Sequence, residues 1–297
     1  MDPAPALYAI RIEGQLGATL LAAFPAMTAR RDGADTVLTG LLDRSALFGL
    51  LAEIEALSLD LLEIRQLTPP HERTSRRVLE MSISDSTVAI IGTGNIGGIL
   101  AADFAAGGQD FLLAGRDQAA AEKVASGLGG HAEVVSVDEA VDRAGVLVLA
   151  LWLDDFRQLI ARYGGRLAGK VIVDPSNPVG PDGAGGYKKV IGDSESSGLI
   201  LAGLLPAGAR LVKAFGTLSA PTLSAAARRE PERAVLFYAA DDDAAGDLVA
   251  GLIRVGGYEP VRVGGLDQAI RIEMYGDLHE YGALGRVVTR TEALAAI

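Results

Sequence analysis

One stretch limits the fold of this chain more than any other: the apolar run Thr87-Val-Ala-Ile-Ile91, which breaks into the glycine-rich turn Gly92-Thr-Gly-Asn-Ile-Gly97. An apolar run before such a turn and a helical pattern after it predict a strand, a tight turn and a helix. In this G-x-G-x-x-G pattern, Gly92 permits the turn, Gly94 lets backbone amides approach a pyrophosphate, and Gly97 allows close packing of helix on strand. The helix N-terminus offers free amides to the phosphates. We therefore predict dinucleotide binding here.

Composition excludes several other classes of protein. The chain has 297 residues, no cysteine, three histidines and a formal charge of −11. Disulfides and thiolate sites are impossible, and no metal site is expected from so few histidines. The negative charge argues against a nucleic-acid partner. The sequence shows neither a long apolar run nor a signal peptide, so we expect no membrane partner and a cytoplasmic location.

The first 67 residues carry a strand and helix pattern of their own. The predicted order is a strand, a helix, a hairpin around Asp32-Gly33, a second helix and a final strand, at Leu7–Glu13, Gly14–Phe24, Met27–Leu41, Arg44–Leu57 and Leu61–Leu67. The order βαββαβ is that of a ferredoxin-like domain. No chemistry is visible in it, so we expect a structural or oligomerising role and a homodimer. Residues 68–84, with two adjacent prolines and several arginines, are predicted to form a linker.

The second predicted strand of the nucleotide-binding region decides between NADP and NAD. This strand, Asp110–Gly115, ends where an acidic residue would meet the ribose 2′-hydroxyl of NAD. The sequence has Gly115-Arg116 instead, and a guanidinium there suits a 2′-phosphate. Asp117 follows, and we expect it to cap the next helix rather than to bind the ribose. The pattern favours NADP(H).

Further along, the apolar run Val146–Leu151 predicts a buried parallel strand, and its C-terminal end should line the nicotinamide pocket. It is followed by Trp152, the only tryptophan, which is either a core residue or a wall for an aromatic ligand. Asp154 and Asp155 come next. Their interpretation as helix caps is preferred to an acid/base pair.

Later segments offer polar candidates beside the same pocket. The amide of Asn177, between two prolines, is suited to bonding either a ligand carboxamide or its own backbone. The glycine-rich stretch 180–192 resembles a flap whose Tyr187-Lys-Lys189 could meet an anionic ligand. Tyr275, His279 and Tyr281 are the late residues capable of acid/base chemistry, although packing is the preferred interpretation.

These elements predict an α/β chain. We expect a ferredoxin-like βαββαβ domain at residues 1–67, the linker at 68–84, a Rossmann-type parallel sheet at 85–220, and a small C-terminal α/β part at 221–297 that covers the active site.

Several motifs between Thr87 and Glu273 resemble those of the NADPH-dependent reductases of the deazaflavin coenzyme F420. The matching segments are Ile91–Gly97, Gly115-Arg116, Gly169–Pro178, Leu211–Phe215, Val235–Asp242 and Gly257–Val261. The resemblance implies a Rossmann domain followed by a small C-terminal part over the deazaflavin.

The resemblance also implies a set of binding residues and a reaction. NADP(H) would contact Thr93, Gly94, Asn95 and Ile96 at the phosphates, Gly115 and Arg116 at the 2′-phosphate, and Trp152 or Leu153, Asn177 and Ala220 near the nicotinamide. The family transfers a hydride directly between the nicotinamide and the deazaflavin ring. Such a transfer needs stacked rings and exclusion of water more than a side-chain acid, so no catalytic residue is assigned.

The chain departs from this family at two positions. Trp152 stands where many members have a proline, and Gly216 stands where an Asn or His is common. Both positions face the second ligand. An NADPH-dependent reductase of a small C=O or C=N compound is therefore an alternative, with Tyr275, Lys213 or His279 as the proton donor. A further alternative is a non-catalytic module that senses NADP(H).

Overall fold

The computed structural model describes residues 6–21, 23–24, 27–32, 35–42, 46–47, 49–50, 53–54, 57, 59–67 and 86–297. The chain divides into two compact units, 1–78 and 79–297. The division falls inside 68–84, the predicted linker, and that stretch lies outside the described residues. Within the described ranges, no helix is long and apolar enough to cross a membrane.

The first unit is built on a four-stranded antiparallel sheet. Its elements are β1 (Ala6–Ile12), α1 (Ala18–Leu21), β2 (Thr28–Asp32), β3 (Asp35–Leu42) and β4 (Leu61–Leu67), and the strand order is β2-β3-β1-β4. All pairings are antiparallel, which is the order and direction that a βαββαβ chain of the ferredoxin-like type requires. The predicted second helix is described at residues 46–47, 49–50 and 53–54, which are helical, and at residue 57, which lies in a turn. The ferredoxin-like assignment therefore stays a prediction.

The first helix of this unit is shorter than predicted. Its described part begins at Ala18, whereas the pattern placed its start at Gly14. Gly14 adopts a left-handed φ of 83°, and the hydroxyl of buried Thr36 accepts the backbone N–H of Leu16 at 3.0 Å. A helix cannot include a left-handed residue in its first turn, so it starts after this point.

The second unit is an eight-stranded, mainly parallel sheet with helices on both faces. Its strands are β5 (Val88–Ile91), β6 (Phe111–Ala114), β7 (Ala132–Val134), β8 (Val146–Leu149), β9 (Val171–Asp174), β12 (Arg210–Lys213), β13 (Val235–Ala240) and β14 (Glu259–Gly264), and a separate hairpin is formed by β10 (Val179–Pro181) and β11 (Tyr187–Lys189). The sheet order is β14-β13-β12-β9-β8-β5-β6-β7. The predicted Rossmann-type α/β fold is confirmed.

The side chains of β5 point alternately to the two faces of the sheet, which explains why helices cover both faces. Val88 and Ile90 belong to one buried apolar cluster together with Phe104, whereas Ala89 and Ile91 belong to a second cluster together with Phe156. Successive side chains of a strand point to opposite faces, so a continuous apolar run needs helices on both sides. The helices are α2 (Asn95–Ala106), α3 (Gln118–Ala125), α4 (Val137–Arg143), α5 (Leu153–Tyr163), α6 (Ser197–Leu204), α7 (Ala220–Ala226), α8 (Asp243–Val255), α9 (Ala269–Ile272) and α10 (Arg290–Ala296).

The boundary predicted at residue 220 does not coincide with the end of a compact unit. β13 pairs antiparallel with β12, and β14 pairs parallel with β13, so both strands extend the nucleotide-binding sheet. All six residues of β13 are buried, and the strand is not at an edge of the sheet because β12 and β14 pair with it on its two sides. Residues 221–297 therefore share one unit with the predicted Rossmann domain.

Candidate active site

The glycine turn after β5 has the geometry that the sequence predicts. Gly92 takes a φ of 113°, and a Cβ placed on it would lie 2.3 Å from the carbonyl oxygen of Ala150. A Cβ on Gly97 would lie 1.9 Å from the carbonyl oxygen of Gly92. Both distances are far below any real contact, so only glycine fits at either position. The turn can therefore hold α2 directly against the strand.

Gly94 is a glycine for a different reason. A Cβ placed on it would meet nothing within 4 Å, so the protein itself leaves this space open. Gly94 is also the N-cap of the 12-residue α2, and no side chain among the described residues caps that helix. The first amides of α2 are therefore free to bond an anion, and Thr93, Asn95 and Ile96 flank them. Asn95 is exposed, and Ile96 also packs on the core. The residues present fit the pyrophosphate of a dinucleotide.

The end of β6 supplies the predicted cation. The Arg116 side chain is 88% exposed, and its Nη1 lies 3.5 Å from Oδ1 of Asp155. Gly115 lies against Thr93, because a Cβ on Gly115 would be 3.2 Å from the Thr93 hydroxyl oxygen. Asp117 accepts the backbone N–H of Ala120 at 3.2 Å, which confirms it as the cap of α3. Asp117, the acid nearest Arg116 in sequence, therefore caps a helix, and the Arg116 guanidinium faces solvent.

The segment after β8 differs from its prediction. Helix α5 starts at Leu153 with Trp152 as N-cap, so Asp154 and Asp155 occupy its first turn and neither is the cap. Their place near the positive end of the helix dipole accounts for two acids there. The Leu153 side chain is 3% exposed and packs in the core, which leaves only its backbone for a ligand. Trp152 is 54% exposed, so its interpretation as a wall is favoured over that as a core residue.

Trp152 belongs to an exposed aromatic group, formed by Trp152, Tyr187 and Tyr275 and here called the aromatic wall. The rings of Trp152 and Tyr187 are 6.2 Å apart and tilted by 32°. The Tyr275 hydroxyl donates to the Tyr187 carbonyl oxygen at 2.7 Å. All three side chains are about half exposed. Such amphipathic rings can present a flat apolar surface to a ligand.

The two lysines beside Tyr187 have different surroundings. Lys189 donates to the carbonyl oxygens of Asp193 and Glu195 at 2.7 and 2.9 Å, so it holds the base of the hairpin. Lys188 is exposed on β11, the second strand of the hairpin. Of the two, Lys188 is the one available to an anion.

Asn177 connects two other segments of the chain. Its Nδ2 donates to the Gly216 carbonyl oxygen at 2.8 Å, and its Oδ1 accepts the backbone N–H of Met274 at 2.7 Å. The amide therefore holds the loop after β9 to the ends of β12 and α9, and one N–H remains for a ligand. A Cβ on Gly216 would lie 3.0 Å from the Pro175 carbonyl oxygen. This close approach leaves little room for a side chain and explains the glycine at this position.

Beneath this loop lies a buried charged cluster that the sequence reasoning missed. Lys213 Nζ donates to Asp174 Oδ2 at 2.7 Å, to the Ser176 carbonyl oxygen at 2.5 Å and to the Ser197 hydroxyl at 3.1 Å. Glu273 lies 3.9 Å from the same nitrogen and accepts four hydrogen bonds, from Ser196, Ser197 and Gly198. Lys213, Asp174 and Glu273 are each at most 1% exposed. One sequence signal could have indicated the pair Lys213 and Asp174: each is a charged residue at the end of an apolar run. These two runs form the neighbouring strands β12 and β9, in which Lys213 pairs with Asp174.

The cluster removes Lys213 from the candidate proton donors. An ammonium group has three protons, and all three are bonded within the protein. The charge is also out of reach of a ligand at 1% exposure. Lys213 instead ties the end of β9 to the start of α6.

His279 is likewise buried, at 0% exposure. Its Nδ1 accepts the backbone N–H of Tyr281 at 3.0 Å, so the neutral ring carries its proton on Nε2, which has no hydrogen-bond partner among the described residues. Desolvation by burial lowers the pKa of His279 to about 4, which keeps the ring neutral. The neighbouring Glu280 accepts the backbone N–H of Ser219, directly before Ala220 at the start of α7. Residues 273–281 therefore fasten the C-terminal part onto the loops around the strand ends.

Comparison with known proteins agrees with this geometry. Residues 87–178 match the family described as NADP oxidoreductase, coenzyme F420-dependent, and residues 7–65 match a domain of unknown function. No curated protein sequence matches the chain.

Two solved structures share the fold of the second unit. A hypothetical protein from Sinorhizobium meliloti has a TM-score of 0.61 and 28% identity, over 71% of this chain and 99% of its own. A protein from Arthrobacter sp. FB24, proposed to be an F420-dependent NADP reductase, has a TM-score of 0.54 and 22% identity, over 62% of this chain and 87% of its own. At this identity the second likeness shows the fold alone.

Proposed function

We propose that this chain, which belongs through residues 87–178 to the family of coenzyme F420-dependent NADP oxidoreductases, transfers a hydride between NADP(H) and coenzyme F420. The family makes the chain an NADP-dependent oxidoreductase. The deazaflavin as the second substrate is the proposed step.

The aromatic wall carries this proposal. Trp152 and Tyr187 form a tilted pair beside the end of β8, and Tyr275 is bonded to the backbone of Tyr187. In an open α/β sheet, ligands lie beyond the C-terminal ends of the strands, so the wall is next to the expected nicotinamide position. Exposed flat rings in such a place suit a planar aromatic ligand. Lys188, exposed beside Tyr187, suits an anionic tail on that ligand.

The surroundings of the acid/base candidates support the same reaction. Two of the three candidate donors, Lys213 and His279, are buried away from a ligand, and all three protons of Lys213 are bonded within the protein. When bound, NADPH supplies the hydride, and the protein has only to hold two rings together and keep water out. Asn177 and residues 273–281 position the loops that surround this space. Direct ring-to-ring transfer fits a site of this kind.

A second candidate is a reductase of a small C=O or C=N compound, with Tyr275 as the proton donor. One observation favours it: the Tyr275 side chain is 51% exposed, unlike Lys213 and His279. A phenol in this position can donate its proton to a carbonyl or imine after its hydrogen bond to the Tyr187 carbonyl oxygen is broken. A non-catalytic sensing role is not favoured, since the matched family consists of oxidoreductases.

Mixing the protein with NADPH and F420 tests the proposal. We expect the absorbance of the oxidised deazaflavin to disappear with protein-dependent kinetics. Tyr275→Phe should keep turnover within a few fold, because only the hydrogen bond to the Tyr187 carbonyl is lost. Loss of turnover in Tyr275→Phe, together with reduction of small carbonyl compounds by the wild type, would favour the second candidate. An unchanged absorbance with bound NADPH would remove F420 as substrate.

The homodimer predicted from the sequence is also proposed, with the first unit as the oligomerising part. Sedimentation velocity of the full chain and of residues 79–297 would compare their masses. The proposal fails if the full chain sediments as a monomer, or if the shorter chain is equally dimeric.

A further inference from the structure

We propose that Asp155 limits the preference of this enzyme for NADP(H) over NAD(H), by competing with the 2′-phosphate of NADP(H) for Arg116. The inference rests on NADP(H) binding in the proposed function and is independent of the second substrate.

The topology places this ion pair across the dinucleotide site. In the sheet, β5 lies between β6 and β8. Arg116 follows β6, and Asp155 lies in the first turn of α5, after β8. A contact of 3.5 Å between them therefore passes over the end of β5, where the glycine turn begins. The pair and the cofactor would share this edge of the sheet.

Arg116 has no competing partner in the part of the chain that the structure describes. Its only ion-pair contact there is Asp155, and its side chain is 88% exposed. An exposed pair of this length is weak, because solvent screens it and two side chains must be held in place. A phosphate dianion offers the guanidinium a stronger, bidentate partner. Arg116 would therefore exchange Asp155 for the 2′-phosphate.

The Asp155 carboxylate stays close to the 2′-phosphate after Arg116 has exchanged one partner for the other. Its side chain is 30% exposed and fixed on the first turn of α5. A carboxylate next to a phosphate dianion raises the free energy of the bound state through like-charge repulsion. The ribose 2′-hydroxyl of NADH carries no charge, so this repulsion does not affect NADH binding. Asp155 thus weakens NADPH binding selectively.

A neighbouring carboxylate provides a matched control. Asp154 occupies the same helix turn, but it pairs with Arg157 at 3.1 Å and its side chain is 83% exposed. Asp154→Asn removes the same charge from the same helix end without touching Arg116. Any general effect of net charge or of the helix dipole will appear in both variants.

The experiment is a titration of the full-length wild type, Asp155→Asn, Asp154→Asn, Arg116→Ala and the double variant Arg116→Ala/Asp155→Asn with NADPH and with NADH, at low and at high salt. We expect Asp155→Asn to lower the Kd of NADPH about 3- to 10-fold at low salt and less at high salt. The Kd of NADH should stay within about 2-fold, and Asp154→Asn should behave as the wild type. In the Arg116→Ala background, the gain from Asp155→Asn should shrink, because no guanidinium remains to be competed for.

The inference is overturned if Asp155→Asn leaves NADPH binding unchanged or weakens it, or if Asp154→Asn improves it equally. A wild type that binds no NADPH would instead contradict the proposed function, so the two failures are distinguishable. Thermal unfolding of each variant checks that the fold is intact.

Discussion

The two ends of the candidate site are built on opposite principles. At the phosphate end, the binding groups are backbone amides of an uncapped helix and one guanidinium that is 88% exposed. At the hydride end, a charged cluster beneath the loops is buried and bonded within the protein: Lys213, Asp174 and Glu273 are at most 1% exposed. The first end keeps its polar groups free for a ligand, whereas the second uses them to hold loops in position.

Substitutions at the two ends should therefore have different effects. Changes at the phosphate end should alter cofactor affinity and leave folding intact, since those groups make few contacts within the protein. Changes at the hydride end should damage folding first, because a buried charge that loses its partner is expensive.

Lys213→Met should destabilise the second unit by about 3–5 kcal/mol, because it leaves two carboxylates buried without their cation. Urea unfolding measures the loss. Arg143→Met is the matched control: it breaks an ion pair with Glu133 that is well exposed, and it should unfold close to the wild type. Equal losses in the two variants would contradict a stabilising role for the buried cluster at the hydride end.

His279 should make folding stability fall in mild acid. Its pKa is lowered from 6.5 to about 4 in the folded protein, so the unfolded chain binds a proton at a higher pH than the folded one. Stability attributable to His279 is therefore complete above pH 6.5, declines as the pH falls toward 4, and loses at most about 3 kcal/mol. Unfolding free energies measured across this range should show the slope in the wild type and a flatter slope in His279→Gln. A slope that is identical in the variant would contradict the burial of a neutral ring.

Arg116→Ala should weaken NADPH by about 10- to 100-fold and change NADH by less than about 2-fold, because only NADPH carries the 2′-phosphate. The melting temperature should stay at the wild-type value, since the guanidinium is almost fully exposed. Calorimetric titration with both cofactors measures this. Equal losses for NADPH and NADH would show that the arginine does not recognise the 2′-phosphate.

Gly94→Ala should weaken both cofactors, by about 10-fold each, with no change in melting temperature. The added methyl group enters space that the protein leaves open, so the folded state is unaffected, but the group meets the phosphates. The same titrations with a melting curve measure the effect. A drop in melting temperature without a loss of affinity would indicate a purely structural glycine.

The sequence allowed prediction of those parts that depend on neighbouring residues. The glycine turn, the cap Asp117 and the placement of Arg116 follow from local spacing, and the structure has each of them where expected. The predicted caps Asp154 and Asp155 lie two and three positions after the observed cap Trp152, because the start of α5 is set by how Leu153 packs. Local spacing determines which residue types meet a ligand, but not where a helix begins against its core.

The parts that could not be predicted depend on residues far apart in the chain. Glu273 reaches Ser197 across 76 positions, and Asn177 reaches Met274 across 97. Only the sheet order, with β12 beside β9, brings these side chains together. Long-range pairing of β13 with β12, and of β14 with β13, also places these strands in the main sheet. The residues around position 220 carry no local pattern that indicates this continuation of the sheet.

The most direct test of the account follows a deuterium label from NADPH. The protein would be given NADPH deuterated at both C4 positions together with oxidised F420 in ordinary water, and the reduced deazaflavin would be analysed by mass spectrometry and NMR. Direct ring-to-ring transfer predicts one deuterium at C5 of the reduced deazaflavin. Reduced F420 that carries only protium at C5, or NADPH that is not oxidised in the presence of F420, would contradict it.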